Sequence, residues 1–233
     1  MNNNKAFTLA EVLITLGIIG IVAAMTLPTV IDNSRKKHLE TAFKKYHSII
    51  LQALAWYQAE YGYPLLPRNT GTQKEVTSLK ILIKPYLNIL HDCGYSYINK
   101  CMRLPAADEE IARSSQYYKT YNNNILTMSR LDDGQLVLND GGLLLFENGG
   151  IATDTDRYIT VDVNGYLKRP NKWGHDLFTF QLMEDGRLLP MGANGTTYTD
   201  DNRYCSISST NSQNGISCTD NALNEKDYFK NLP

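Results

Sequence analysis

The stretch from Lys5 to Pro28, KAFTLAEVLITLGIIGIVAAMTLP, constrains this chain more than any other feature. Between Phe7 and Leu27 the only charged residue is Glu11. A helix rising ~1.5 Å per residue over that stretch spans the ~30 Å hydrocarbon core of a bilayer. A carboxylate inside such a span costs at least ~2.5 kcal/mol on insertion scales, so an intramembrane acid points to a function. A secretory signal peptide would follow its apolar core with a small-residue cleavage site. Here the run ends Met25-Thr26-Leu27-Pro28 and passes into an amphipathic segment. A signal peptide and a plain anchor both leave Glu11 without a purpose.

A short polar leader with Lys5, a small residue, then Phe7-Thr8-Leu9-x-Glu11 and an apolar run resembles the processing signal of type IV prepilins, shared by type II secretion pseudopilins. The resemblance implies a cut by the prepilin peptidase between Ala6 and Phe7, with N-methylation of Phe7. Glu11 becomes the fifth mature residue, and Gly17, Gly20 and Pro28 fall where pilin helices carry helix-loosening residues. Ala6 departs from the Gly common at that place but is also small. Leader 1–6, a transmembrane and assembly helix 7–28 and an extracytoplasmic domain 29–233 follow from the resemblance.

The chain has 233 residues, with Lys+Arg 23 against Asp+Glu 24. That near-neutral balance argues against nucleic acid as a partner, at least for a major subunit. Four cysteines form two close sets, Cys93/Cys101 and Cys205/Cys218. Four allow three connectivities; local pairing suits the loops they bracket, and neither spacing matches a zinc ribbon or finger. Disulfides imply an oxidising compartment. The positive-inside rule points the other way, because Lys5 stands alone before the span while Arg35, Lys36, Lys37, Lys44 and Lys45 follow it. The resemblance and the cysteines place the C-terminal side outside the cytoplasm.

After Pro28, Leu39, Ala42, Phe43, Tyr46, Ile49, Ile50, Ala53, Leu54, Tyr57 and Tyr61 recur in steps of three and four, predicting an amphipathic helix over 29–62 that Gly62-Tyr63-Pro64 stops. The region 63–124 reads as helices and loops, with one short helix from Thr77 or Ser78 through Ile83 and another over Asp108–Tyr118. From 125 to 191, short apolar runs alternate with Gly breaks: Gln135–Leu138, Leu143–Phe146, Tyr158–Val163, Phe178–Met183 and Arg187–Leu189. Asp185-Gly186 signals a two-residue hairpin. This is an antiparallel meander whose apolar face the long helix covers. The segment 192–233 reads as loop, with a short helix near Ala222–Phe229. The fold expected is α+β and pilin-like, a long N-terminal helix (transmembrane first half, amphipathic second half) packed on a C-terminal antiparallel sheet.

Asp162, Asn164 and Asp176 lie in a segment resembling one near the end of the sheet in pseudopilin-like proteins, where a loop of the major pseudopilins binds calcium. Asp154, Asp156, Asp162, Asn164 and Asp176 supply hard oxygen donors of the right type but miss the EF-hand template. Turn chemistry accounts for the same Asp, Asn and Gly residues. No nucleophile–base motif, P-loop or dinucleotide fingerprint appears, so an enzyme is not expected. Trp56, Trp173 and the tyrosines suit core packing or filament contact, with sugar stacking as the rival.

The resemblance implies a structural subunit of a type IV pilus or type II secretion pseudopilus. It would wait as a single-pass precursor in the inner membrane, surrounded by lipid, and then pack through the assembly platform with other copies or paralogous pilins in a pilus or periplasmic pseudopilus. The alternative is a minor, tip-located pilin that binds a surface, DNA or cargo.

Overall fold

The computed structural model describes residues 8–71, 78–95, 101, 114–149, 157–165 and 167–233, with the backbone alone at 114–117. The chain falls into two units that meet between His38 and Leu39. The first helix, α1 (Leu9–Tyr61), runs through both and carries Pro28 in its interior. In the first unit its apolar side chains, Leu13, Ile14, Ile18 and Ile21 among them, are exposed. This helix is long and apolar enough to cross a membrane.

In the second unit α1 buries Leu39, Ala42, Phe43, Tyr46, Ile50, Ala53, Leu54 and Tyr57, the expected stripe without Ile49 and Tyr61. It ends where Gly62 adopts φ 78° and donates its N–H to the Gln58 carbonyl, the left-handed stop that glycine provides without a Cβ penalty. A short helix α2 (Leu79–Ile83) begins after Ser78 and gives way to a 3-10 turn at Lys84–Tyr86, whose Pro85 cannot continue the α-helical ladder.

Among the described residues the main sheet has six antiparallel strands in the order β1-β4-β5-β6-β7-β8. They are β1 (Ile89–Gly94), β4 (Gln135–Leu138), β5 (Leu143–Glu147), β6 (Tyr158–Asp162), β7 (Leu177–Leu182) and β8 (Leu188–Pro190). A separate pair, β2 (Ser114–Lys119) with β3 (Ile125–Thr127), forms a two-stranded sheet. The β4–β5 and β7–β8 hairpins share one geometry. Gly141 and Gly186 donate their N–H groups to Leu138 and Met183, whose own N–H groups reach Gly142 and Arg187. Each loop therefore has three residues and ends on a glycine at positive φ, 92° and 85°. That is a type I turn plus bulge, in place of the two-residue turn expected at Asp185-Gly186.

Both faces of the sheet are buried. Leu144, Phe146, Ile159, Val161, Phe178 and Phe180 pack against α1. Leu143, Leu145, Tyr158 and Leu177 pack on the opposite side with Trp173, Met191, Tyr198 and Ile216. A strand covered on both faces reads as an unbroken apolar run, which explains Leu143-Leu144-Leu145-Phe146.

Three further expectations change. The sheet begins in the region expected to be helix and loop, since β1 is its edge strand beside β4. Of the helix expected over Asp108–Tyr118, residues 114–118 are strand β2; the remainder lies outside the described residues. The 192–233 segment carries helices α3 (Asp201–Tyr204) and α4 (Cys218–Asn224). Its Cys218, Ala222, Tyr228 and Phe229 belong to the core beneath α1. The Phe43 ring lies 4.3 Å from Phe178 and 5.8 Å from Phe229, so one side chain joins helix, sheet and C-terminus.

Candidate functional site

Thr8 and Glu11 cap α1 reciprocally. The Thr8 N–H and hydroxyl both donate to Glu11 Oε2, each at 2.8 Å, and the Glu11 N–H donates to the Thr8 hydroxyl at 3.2 Å. This is a capping box, which satisfies N-terminal amide donors that have no partner within the helix. The same bonds partly solvate Glu11 where lipid cannot. Thr15 and Thr26 donate their hydroxyls to the carbonyls of Val12 and Val22. Every polar side chain from Leu9 to Leu27 thus has a partner on its own helix, as a bilayer interior requires. A Cβ added at Gly17 or Gly20 meets nothing within 4 Å, so packing within this chain does not require either glycine. Pro28 removes one helical donor. Ala6 and Phe7 lie outside the described residues.

Asp162 and Asp176 stand together beneath the β6–β7 connection. Asp162 is fully buried; Tyr118 donates its hydroxyl to Oδ2 at 2.7 Å, and the N–H groups of Gly165 and Asn164 donate to Oδ1 at 2.9 and 3.3 Å. Asp176 Oδ2 accepts from the Asn171 N–H at 2.8 Å and the Asn164 side-chain amide at 3.3 Å, and Oδ1 accepts from the Lys172 N–H at 2.6 Å. Burial, then the neighbouring Asp176 charge, push the Asp162 carboxyl up to about 8 against the pull of these donors. Calcium takes ~6–8 oxygen ligands. All four carboxylate oxygens here already accept hydrogen bonds, and Asp154 and Asp156 lie outside the described residues. The described carboxylates each fix a turn, and three of the five residues named for calcium, Asp162, Asn164 and Asp176, are brought together there.

A second buried carboxylate pair, Asp133 and Glu147, has no counterpart among the sequence-based candidates. Asp133 accepts from the Asn148 N–H at 2.8 Å, and Glu147 accepts from the Gly149 N–H at 3.0 Å. Burial and the Asp133 charge push Glu147 up to about 8. The signal was a glutamate continuing the apolar run of β5 into a buried position.

The cysteines form two local bridges, Cys93–Cys101 and Cys205–Cys218. His91 lies beside the first. With both sulfurs in a disulfide, no thiolate is left there to ligate zinc. His47 stacks on Phe180 at 5.0 Å, and burial lowers its pKa.

The family model for the prokaryotic N-terminal methylation motif matches residues 1–27. No curated protein and no solved structure matches the chain. The N-terminal match, the apolar helix behind it and the antiparallel sheet converge on one description: this chain carries the N-terminal signature of type IV pilin and pseudopilin precursors.

Proposed function

We propose that the protein is a structural subunit of a type IV pilus or type II secretion pseudopilus. The prepilin peptidase cuts between Ala6 and Phe7 and Phe7 is N-methylated. Residues 7–28 hold the precursor in the inner membrane with residues 29–233 outside the cytoplasm. The assembly platform then draws the subunit from lipid into a helical filament of copies or paralogous pilins. The methylation motif over residues 1–27 carries this reading and points to a structural rather than enzymatic protein.

The capping box supports a role for Glu11 in both settings. In lipid, Oε2 is held by Thr8, which lowers the cost of a lone carboxylate. Oε1 is engaged by neither Thr8 bond and is available to the amine of a neighbouring Phe7. Removing one partner of a buried ion pair costs ~3–5 kcal/mol, so such a contact penalises a misplaced subunit and sets register. Gly17, Gly20 and Pro28 weaken the helix where it would have to adjust between its two surroundings.

The test is Glu11→Ala in cells that carry the peptidase. Processing and membrane insertion should persist while filament yield collapses. Normal filament yield would remove Glu11 from assembly.

A further inference from the structure

On the second unit, Lys45, Gln52 and Trp56 of α1 line a groove of about 420 Å³ together with Asn88, Asn139 and Asp140 from the β1 approach and the β4–β5 loop. That volume lies within the range of ~300–1,000 Å³ typical of small-molecule sites. The chain has two tryptophans and treats them oppositely. Trp173 is fully buried, and its indole N–H donates to the Thr179 hydroxyl at 3.1 Å. Trp56 is 63% exposed at the groove wall.

The polar groups beside Trp56 are only partly used. Asn139 donates its amide to Asn88 Oδ1, which leaves the Asn88 amide hydrogens and the Asn139 carbonyl oxygen for a ligand. Gln52 donates to the Ser48 hydroxyl at 2.9 Å, leaving its carbonyl oxygen. The two charges cancel, because Lys45 pairs with Asp140, which also accepts the Tyr46 hydroxyl at 2.7 Å. The groove thus offers an aromatic face and neutral donors and acceptors without net charge.

We propose that this groove binds a neutral saccharide, with one sugar face on the Trp56 indole and ring hydroxyls on the amides of Gln52, Asn88 and Asn139. The C–H face of a pyranose is apolar and suits the negative face of an aromatic ring. Hydroxyls both donate and accept, matching the mixed amide groups. A charged ligand would have to break the Lys45–Asp140 pair, and a wholly apolar one would leave the amides desolvated without partners. The site does not depend on filament assembly.

The full chain, purified in a detergent without a sugar headgroup, should be tested on a surface panel of neutral oligosaccharides and by tryptophan fluorescence. With Trp173 buried, a ligand-dependent emission change reports Trp56. At least one oligosaccharide should bind saturably and shift that emission. Trp56→Ala and Asn139→Ala should each weaken surface binding about tenfold or more with unchanged thermal unfolding, while Trp56→Tyr keeps part of it. The proposal is overturned if no neutral oligosaccharide saturates, or if binding survives Trp56→Ala within about twofold. It is equally overturned if Trp56→Ala alters only self-association in sedimentation, which would assign the groove to a second copy of the chain.

Discussion

Phe43→Ala tests whether the described domain is held together as one core. The ring is fully buried, 4.3 Å from Phe178, 6.0 Å from Phe180 and 5.8 Å from Phe229. Three elements meet on it, so its removal leaves a cavity that none of them can close alone. Phe→Ala in such a site costs ~3–5 kcal/mol, a large share of a domain stability of ~5–15 kcal/mol. For a unit of this size that predicts a fall in Tm of about 6–20 °C. Thermal and urea unfolding of the full chain, followed by the emission of buried Trp173, measures it. Phe229→Ala should also destabilise, and the double variant should be less destabilised than the sum by about 0.5–1.5 kcal/mol, the scale of an aromatic pair. A cost for Phe43→Ala below ~1 kcal/mol, or strict additivity with Phe229→Ala, would refute the claim that the C-terminus is part of the helix–sheet core.

Two further perturbations probe the sheet. Asp162 has its pKa raised to about 8, against ~3.9 in the unfolded chain, so folding takes up a proton between those values. Its contribution is complete below pH ~4 and is lost as pH rises toward 8, with a slope of at most ~1.4 kcal/mol per pH unit. Urea unfolding at pH 5 and pH 8 should show a smaller loss in Asp162→Asn than in the wild type; equal losses would contradict the assignment. At Gly142, an added Cβ would lie 2.1 Å from the Tyr46 hydroxyl oxygen, and that ring is buried and tied to Asp140. Gly142→Ala should therefore cost ~1–3 kcal/mol by overpacking, with partial recovery on adding Tyr46→Leu. An unchanged Tm for the single variant would show that the hairpin yields freely.

The sequence makes some elements legible and hides others for identifiable reasons. The second half of α1 is plain from its three- and four-residue steps, because one stripe faces a core and the rest faces water. Strands β4 to β7 are plain as short apolar runs between glycine-containing breaks. Their coverage on both faces is also written in those runs, since a half-exposed strand would alternate. Strand β1 is harder to see: Ile-Leu-His-Asp-Cys-Gly is an edge strand with register shifts on its single partner, so neither period is regular. Strand β2 begins in polar residues, and its place depends on β3 rather than on its own pattern. The buried position of Asp162 cannot be read from Asp-Val-Asn-Gly, because the same letters describe an exposed turn or a cation loop; Tyr118, far away in sequence, decides it. At the N-terminus the Thr8–Glu11 spacing is itself a capping-box signature, which reading Glu11 only as a membrane acid passes over.

Terminal sequencing by mass spectrometry, on protein recovered from cells with an active prepilin peptidase, tests the central claim most directly. The expected mature chain begins at N-methylated Phe7, with Glu11 fifth. A chain that keeps Met1 to Ala6, or one that begins near Met25 after loss of the apolar helix, would contradict it.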